Sequence, residues 1–288
     1  MVLDGFALTG VALKVMLYIT SLAASGLLLF RLIFARDEAD LAAWLRRRLL
    51  LLASLGLGVA AARFLVAGAR LTGELSGMTD TVMLGILWSG PVGTALILQL
   101  AGFALIAAGA IDWSWSKWIG LVGVALLITS FGQVGHVLQL DADWGLLLLL
   151  VHLVGLAFWI GSLAPLYRAT RRQDLAAAAT LAHGFGQVAI VIVPVLLVAG
   201  AVCAALLLRD LGALFGTTYG QVLLIKIVLV GAILTLAALN KYRFVPAMQA
   251  GDTLAAVHLQ RSILIEAAFI GLVLIATSIL TSVLSLPE

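Results

Sequence analysis

Eight runs of about twenty predominantly apolar residues, each closed by charges or turn residues, fill most of this chain: 9–31, 49–69, 91–110, 118–138, 145–166, 184–207, 220–240 and 262–284. A hydrocarbon slab of about 30 Å takes roughly 20 helical residues to cross. Its interior has no water to satisfy backbone polar groups, so a chain crosses it as helices or as a closed barrel. A barrel needs apolar and polar residues to alternate over about ten positions, and Leu146-Leu147-Leu148-Leu149-Leu150-Val151 does not alternate. The pattern predicts an all-α polytopic integral membrane protein, one domain over 1–288 with eight transmembrane helices. Composition closes the alternative. Only 11% of the 288 residues are charged and 63% are hydrophobic, whereas a soluble domain carries about 25% charged residues.

Charge gives the expected orientation. Alternate loops hold Arg31, Arg36, Arg46, Arg47 and Arg48, then Lys117, then Arg168, Arg171 and Arg172, then Lys241, Arg243 and Arg261; the opposite loops hold Arg70 and Arg209. The positive-inside rule makes the first set cytoplasmic and both termini periplasmic. The net charge of +3 is thus spent on loop asymmetry, and no nucleic-acid surface is expected. The first run is expected to be a membrane helix rather than a cleaved signal, because Met1 to Gly5 offers Asp4 and no basic residue. Trp44, Trp88, Trp113, Trp115, Trp118 and Trp144 fall near the ends of runs, where indole rings favour the headgroup level; Trp159 alone lies inside one. Segment 72–90, interrupted by Gly73, Gly77 and Gly90, reads as an outer-face lid or interfacial helix.

Ionisable groups within hydrocarbon cost at least about 2.5–3.5 kcal/mol each, so each asks for a reason. His136 and His152 lie near the outer ends of the fourth and fifth runs, which a short turn joins. An antiparallel hairpin makes them neighbours, either as ligands of one metal ion or each bonded to an adjacent helix backbone. Gln133 is placed one helical turn from His136, where it serves either reading. Met16, Met78 and Met83 are thioethers of the kind that suit Cu(I), or simply apolar filler. Asp141 and Asp143 read as turn residues, Cys203 as packing, and His183 and His258 as interfacial. Lys14, Arg63 and Lys226 share one predicted depth, reaching for headgroups or facing an anionic group or an acidic partner. Glu266 is the only carboxylate inside a run, with Asn240 near it in depth. Phosphate loops, nucleophile elbows and His-Glu-x-x-His motifs are all missing, so no enzyme activity is expected.

Three ordered blocks resemble a known family. His152-Leu-Val-Gly-Leu-Ala-Phe-Trp159-Ile-Gly161-Ser-Leu-Ala-Pro165 is similar to the histidine, tryptophan-x-glycine and proline pattern of the copper resistance protein CopD family. Tyr219-Gly220 through Lys226 to Asn240-Lys-Tyr-Arg243-Phe-Val-Pro246, and Arg261-Ser262 to Glu266, resemble further blocks of that family, and Gly135-His136 matches a glycine-histidine at the end of its fourth helix. The likeness covers roughly 118–288. It departs at His183-Gly184-Phe185-Gly186, where members often carry arginine-phenylalanine-serine.

The resemblance implies a bacterial inner-membrane protein that moves copper across the membrane, taking it from a separate periplasmic carrier of the CopC type. His136 and His152 become the expected ligands of copper, as Cu(I), with Met78, Met83 and Met16 as soft donors. Gln133, Trp159, Lys226, Asn240 and Glu266 are the expected pathway or supporting residues, and Lys14 and Arg63 the expected contacts for an anion or partner. Two alternatives stand beside it. A b-type haem would use transmembrane histidines as axial ligands and Lys14, Arg63 and Lys226 as partners for its propionates; a copper chaperone would bind without transporting.

Overall fold

The computed structural model describes residues 5–34, 39–111, 113–134, 144–172, 174–208 and 212–282. Among these the chain is helical, with no strand. Seven helices are long and apolar enough to cross a membrane: α1 (Gly5–Phe34), α2 (Ala39–Thr72), α4 (Pro91–Gly109), α6 (Gly145–Thr170), α7 (Leu175–Leu208), α9 (Thr218–Leu239) with its continuation to Gln249, and α11 (Thr253–Ser282). The fourth run is different. Its helix α5 (Ser116–Ser130) has 15 residues and ends in tight turns, with Phe131, Gly132 and Gln133 donating to carbonyls only three residues back. Glycine at 132 weakens helix continuation and lies where a Cβ would fall 2.4 Å from Leu146 Cδ1 at the start of α6. The expected helix to 138 therefore stops at Ser130, and Gln133 is in a turn rather than on a helical face below His136. His136, Asp141 and Asp143 lie outside the described residues.

Helix packing runs α2 and α6 on either side of α1, α4 against both α2 and α5, and α7 against α6, with α11 touching α1, α6 and α9. Glycine permits the closest crossing. A Cβ on Gly26 of α1 would sit 1.7 Å from the Ala157 carbonyl oxygen of α6, and one on Gly161 of α6 would sit 2.1 Å from the Gly26 carbonyl carbon. In lipid, where apolar side chains gain little by leaving the tails, such backbone approach is a main source of helix association. Leu17, Leu22, Leu28, Phe30, Leu45, Leu49 and Phe103 are fully enclosed around this crossing.

Two ends of the bundle are distinguishable. Asp40 at the start of α2 binds Arg168 and Arg172 at the end of α6, and Gln260 of α11 donates to the Thr170 carbonyl at 2.7 Å. At the other end, Lys14 of α1 meets the last turn of α11. Segment 72–90 folds as a single 3-10 turn (Leu75–Met78) and α3 (Thr81–Trp88), the latter capped by Asp80, whose carboxylate accepts from the Val82 and Met83 amides. The pair packs on α2 and α4 and leaves Leu75, Val82, Ile86 and Trp88 exposed.

Candidate membrane-embedded polar site

The inward face of α6 carries two polar side chains seven residues apart, two helical turns or about 10 Å. His152 is the outer one. Its Nδ1 lies 3.0 Å from the Leu196 carbonyl oxygen of α7; in the neutral ring this bond places the proton on Nδ1 and leaves Nε2 its lone pair. Gly200, one turn further along α7, makes the space: a Cβ there would fall 2.7 Å from His152 Cε1. A ring held by one nitrogen, with the other free to bind, is the arrangement that orients a histidine ligand.

Trp159 is the inner one. Its indole Nε1 donates to Glu266 Oε2 at 3.3 Å, and Asn240 Nδ2 donates to Glu266 Oε1. Glu266 is 2% exposed, so α6, α9 and α11 converge on a carboxylate enclosed within the bundle. The lone tryptophan inside an apolar run thus has a polar partner for its N–H, as a buried indole requires. These three side chains form part of the wall of a cavity of about 240 Å³, together with Lys241 and apolar residues of the surrounding helices such as Leu163, Val193, Pro194, Leu234 and Ile263. Asn240 Oδ1 is buried there without a hydrogen-bond partner, leaving an unfilled acceptor beside the carboxylate.

Both helices facing this cavity are irregular at its level. Pro194 within α7 has no N–H to give the Ile190 carbonyl, four residues back and on the cavity wall. At the C-terminal end of α9 the backbone widens to a π turn, Asn240–Phe244, in which the Val245 N–H reaches the Asn240 carbonyl, ahead of Pro246 and the short α10 (Val245–Gln249). Inserted turns of this kind recur at functional sites. Here it sets Asn240 against Glu266 while Lys241 turns toward α7 and donates to the Gly186 carbonyl at 2.7 Å.

The remaining expected site residues are dispersed. Lys226 faces the His152 level, within electrostatic range of His152 and Cys203. Lys14 and Arg63 are elsewhere, between α1, α2 and the end of α11, and are joined by Arg70. Lys14, Arg63 and Lys226, which share one predicted depth, therefore do not face one common group: equal depth along separate helices does not make neighbours. The methionines are not drawn to His152 either. Met16 is 49% exposed on α1, and Met78 and Met83 sit in the cap over α2 and α4, while the His152 ring faces α7. Among the described residues no three His, Cys, Asp or Glu side chains gather to hold a metal. His183 contacts Gln187, and His258 stacks on Phe244 with centroids 5.6 Å apart.

Sequence reasoning missed Lys241, Pro194, Gly200 and Arg70. Pro194 carried a signal, being a proline in the middle of the sixth run. Lys241 and Arg70 were read as loop residues because charge was taken to end a span, whereas the helices continue past both. Gly200 carried no signal apart from its neighbour.

Comparison with known proteins joins this geometry to a family. The family model for copper resistance protein D, CopD, matches residues 179–280, from α7 to the end of α11. The protein is a multi-pass membrane protein, and over that segment, about a third of the chain, its sequence is similar to the CopD family of copper resistance proteins. No curated protein and no solved structure gives a significant match.

Proposed function

We propose that this protein binds copper in the outer half of the bundle and moves it inward across a bacterial inner membrane, taking it from a CopC-like periplasmic carrier. The observation that carries this reading is a pair of polar stations on one face of α6: His152 and, about 10 Å along the helix, Trp159, which leads to the Glu266 carboxylate and the unfilled Asn240 oxygen at a cavity wall. Imidazole suits copper and a carboxylate suits harder cations or a proton. His152, with His136 of the adjoining segment, serves as the acceptor site for Cu(I); Glu266 serves the inner half, as a proton or cation acceptor during passage. Met16, Met78 and Met83 are assigned no ligand role, because Met16 is half exposed on α1, Met78 and Met83 sit in the cap over α2 and α4, and the His152 ring is turned to α7. Cargo is relocated without chemical change, so no catalytic residue is assigned.

The test is metal content and uptake on the full chain. Purified protein is expected to hold copper, and His152→Ala to lose it; unchanged copper in the variant overturns the assignment of His152. In proteoliposomes loaded with a Cu(I) chelator, wild type is expected to accumulate copper and Glu266→Gln to bind it but accumulate at least tenfold less. Binding without accumulation in wild type would make the protein a chaperone. A Soret band that disappears in His152→Ala would make it a b-type haem protein.

A further inference from the structure

The outer half of the bundle carries a cluster of positive charge that the proposed copper site does not use. Lys14 of α1 and Arg63 and Arg70 of α2 lie within electrostatic range of one another. Lys14 is pinned, its ammonium donating to the Thr281 carbonyl at 3.1 Å and to Ser282 Oγ at 2.9 Å. Arg63 is half-buried; among the described residues neither Arg63 nor Arg70 donates a hydrogen bond, and no carboxylate pairs with any of the three. Space has been left for the guanidinium of Arg70: a Cβ on Gly10 would be 3.1 Å from its Nη1. Gly10, Lys14 and Tyr18 recur every four residues on one face of α1, and Arg63 and Arg70 are seven apart on α2, so the cations of both helices lie along one stretch of the α1–α2 seam, here called the recess. Tyr18 closes its inner end, 8% exposed and stacked on Phe131 at 4.9 Å.

Three like charges in a membrane are costly unless an anion joins them. Arginine's rigid fork of donors matches phosphate and carboxylate oxygens two at a time, and lysine adds a point charge. Arg70 lies two residues from the end of α2 and Arg63 nine, so the recess runs from the helix rim inward by roughly 13 Å. Leu8 and Leu71 beside its mouth are more than half exposed, an apolar border suited to acyl chains.

We propose that Lys14, Arg63 and Arg70 form a binding site for a phosphate-type oxyanion at the outer end of α1 and α2, filled by the headgroup of an anionic phospholipid or by free phosphate. The site neutralises the cluster and ties α1 to α2. It is independent of copper binding.

The test uses the full chain in nanodiscs of phosphatidylcholine, with or without phosphatidylglycerol, and in phosphatidylcholine with millimolar inorganic phosphate. Thermal unfolding and the number of phosphatidylglycerol molecules retained in native mass spectrometry are the readouts. Wild type is expected to retain one phosphatidylglycerol per chain more than Arg63→Gln/Arg70→Gln, and to lose its stabilisation by that lipid in the variant. Stabilisation of wild type by inorganic phosphate alone, absent in the variant, assigns the site to the free anion. Should the double variant misfold, Arg70→Gln, at the exposed rim, carries the same comparison. Arg47→Gln at the opposite end of α2 is the control for general attraction of anionic lipid and is expected to match wild type. If neither probe stabilises wild type, or if the recess variants respond as Arg47→Gln does, the proposal fails.

Discussion

The two halves of this bundle are built to different standards of packing. In α1, 61% of the apolar window is buried within the protein, whereas in α7 and in α9 with its continuation the share is 11%. The first half is built on small-residue crossings such as Gly26 against Gly161. The second half holds Pro194, the π turn at Asn240–Phe244 and the cavity beside Glu266, and it is the half that the CopD family model matches. The difference teaches that α1, α2, α4, α6 and α11 act as a scaffold, while α7 and α9 supply a looser wall against which the polar face of α6 can work.

The sharpest way to break this division is to overfill the scaffold crossing. Gly26→Leu is expected to abolish the folded state, since even a Cβ meets the Ala157 backbone at 1.7 Å and overpacking commonly costs 1–3 kcal/mol or more. Gly231→Leu on α9, where a Cβ meets nothing within 4 Å, is expected to leave thermal unfolding and folded yield in detergent near wild type. Equal damage at both positions would erase the distinction between the halves.

Next in size is removal of the shared acceptor. Glu266→Leu leaves the Trp159 N–H and the Asn240 amide without their partner, and an unsatisfied buried donor costs about 1–3 kcal/mol. Thermal unfolding is expected to fall by several degrees, with Glu266→Gln recovering much of the loss because its amide oxygen still accepts. Gly200→Val tests the outer level. Its side chain intrudes on the His152 ring and breaks the bond to Leu196, so copper affinity is expected to drop about tenfold or more, as loss of an orienting partner does, with stability changed by only about 1 kcal/mol. Asp40→Ala is the smallest. It removes the acceptor of Arg168 and Arg172, but Asp40 is exposed, and such pairs contribute about 0–1 kcal/mol; chemical unfolding should hardly register it.

Several features of the site were readable before any fold was known. An intramembrane carboxylate at 266, an indole at 159 away from the headgroup level and a histidine at 152 each stand out against an apolar run because hydrocarbon makes polar groups expensive. Which of them meet was not readable. Trp159 and Glu266 are 107 residues apart, and a depth shared along separate helices does not say which cations meet: Lys226 lies beside His152 and Cys203, and Lys14 beside Arg63. Spacing also misplaced Gln133, because the turns after Ser130 end the helix before the periodicity can apply.

By itself the sequence determined the solvent and the grammar of this protein: long apolar runs admit only membrane-crossing helices, and basic loops alternate with sparsely charged ones. The reason is that the bilayer tests each segment separately, for length, polarity and internally satisfied backbone. The tertiary structure alone decided that Gly26 meets Gly161, that Asn240 and Trp159 share Glu266, and that Arg70 completes a cluster with Lys14 and Arg63. Those pairings depend on helix rotation and crossing, which close packing of small residues sets and which no single run encodes.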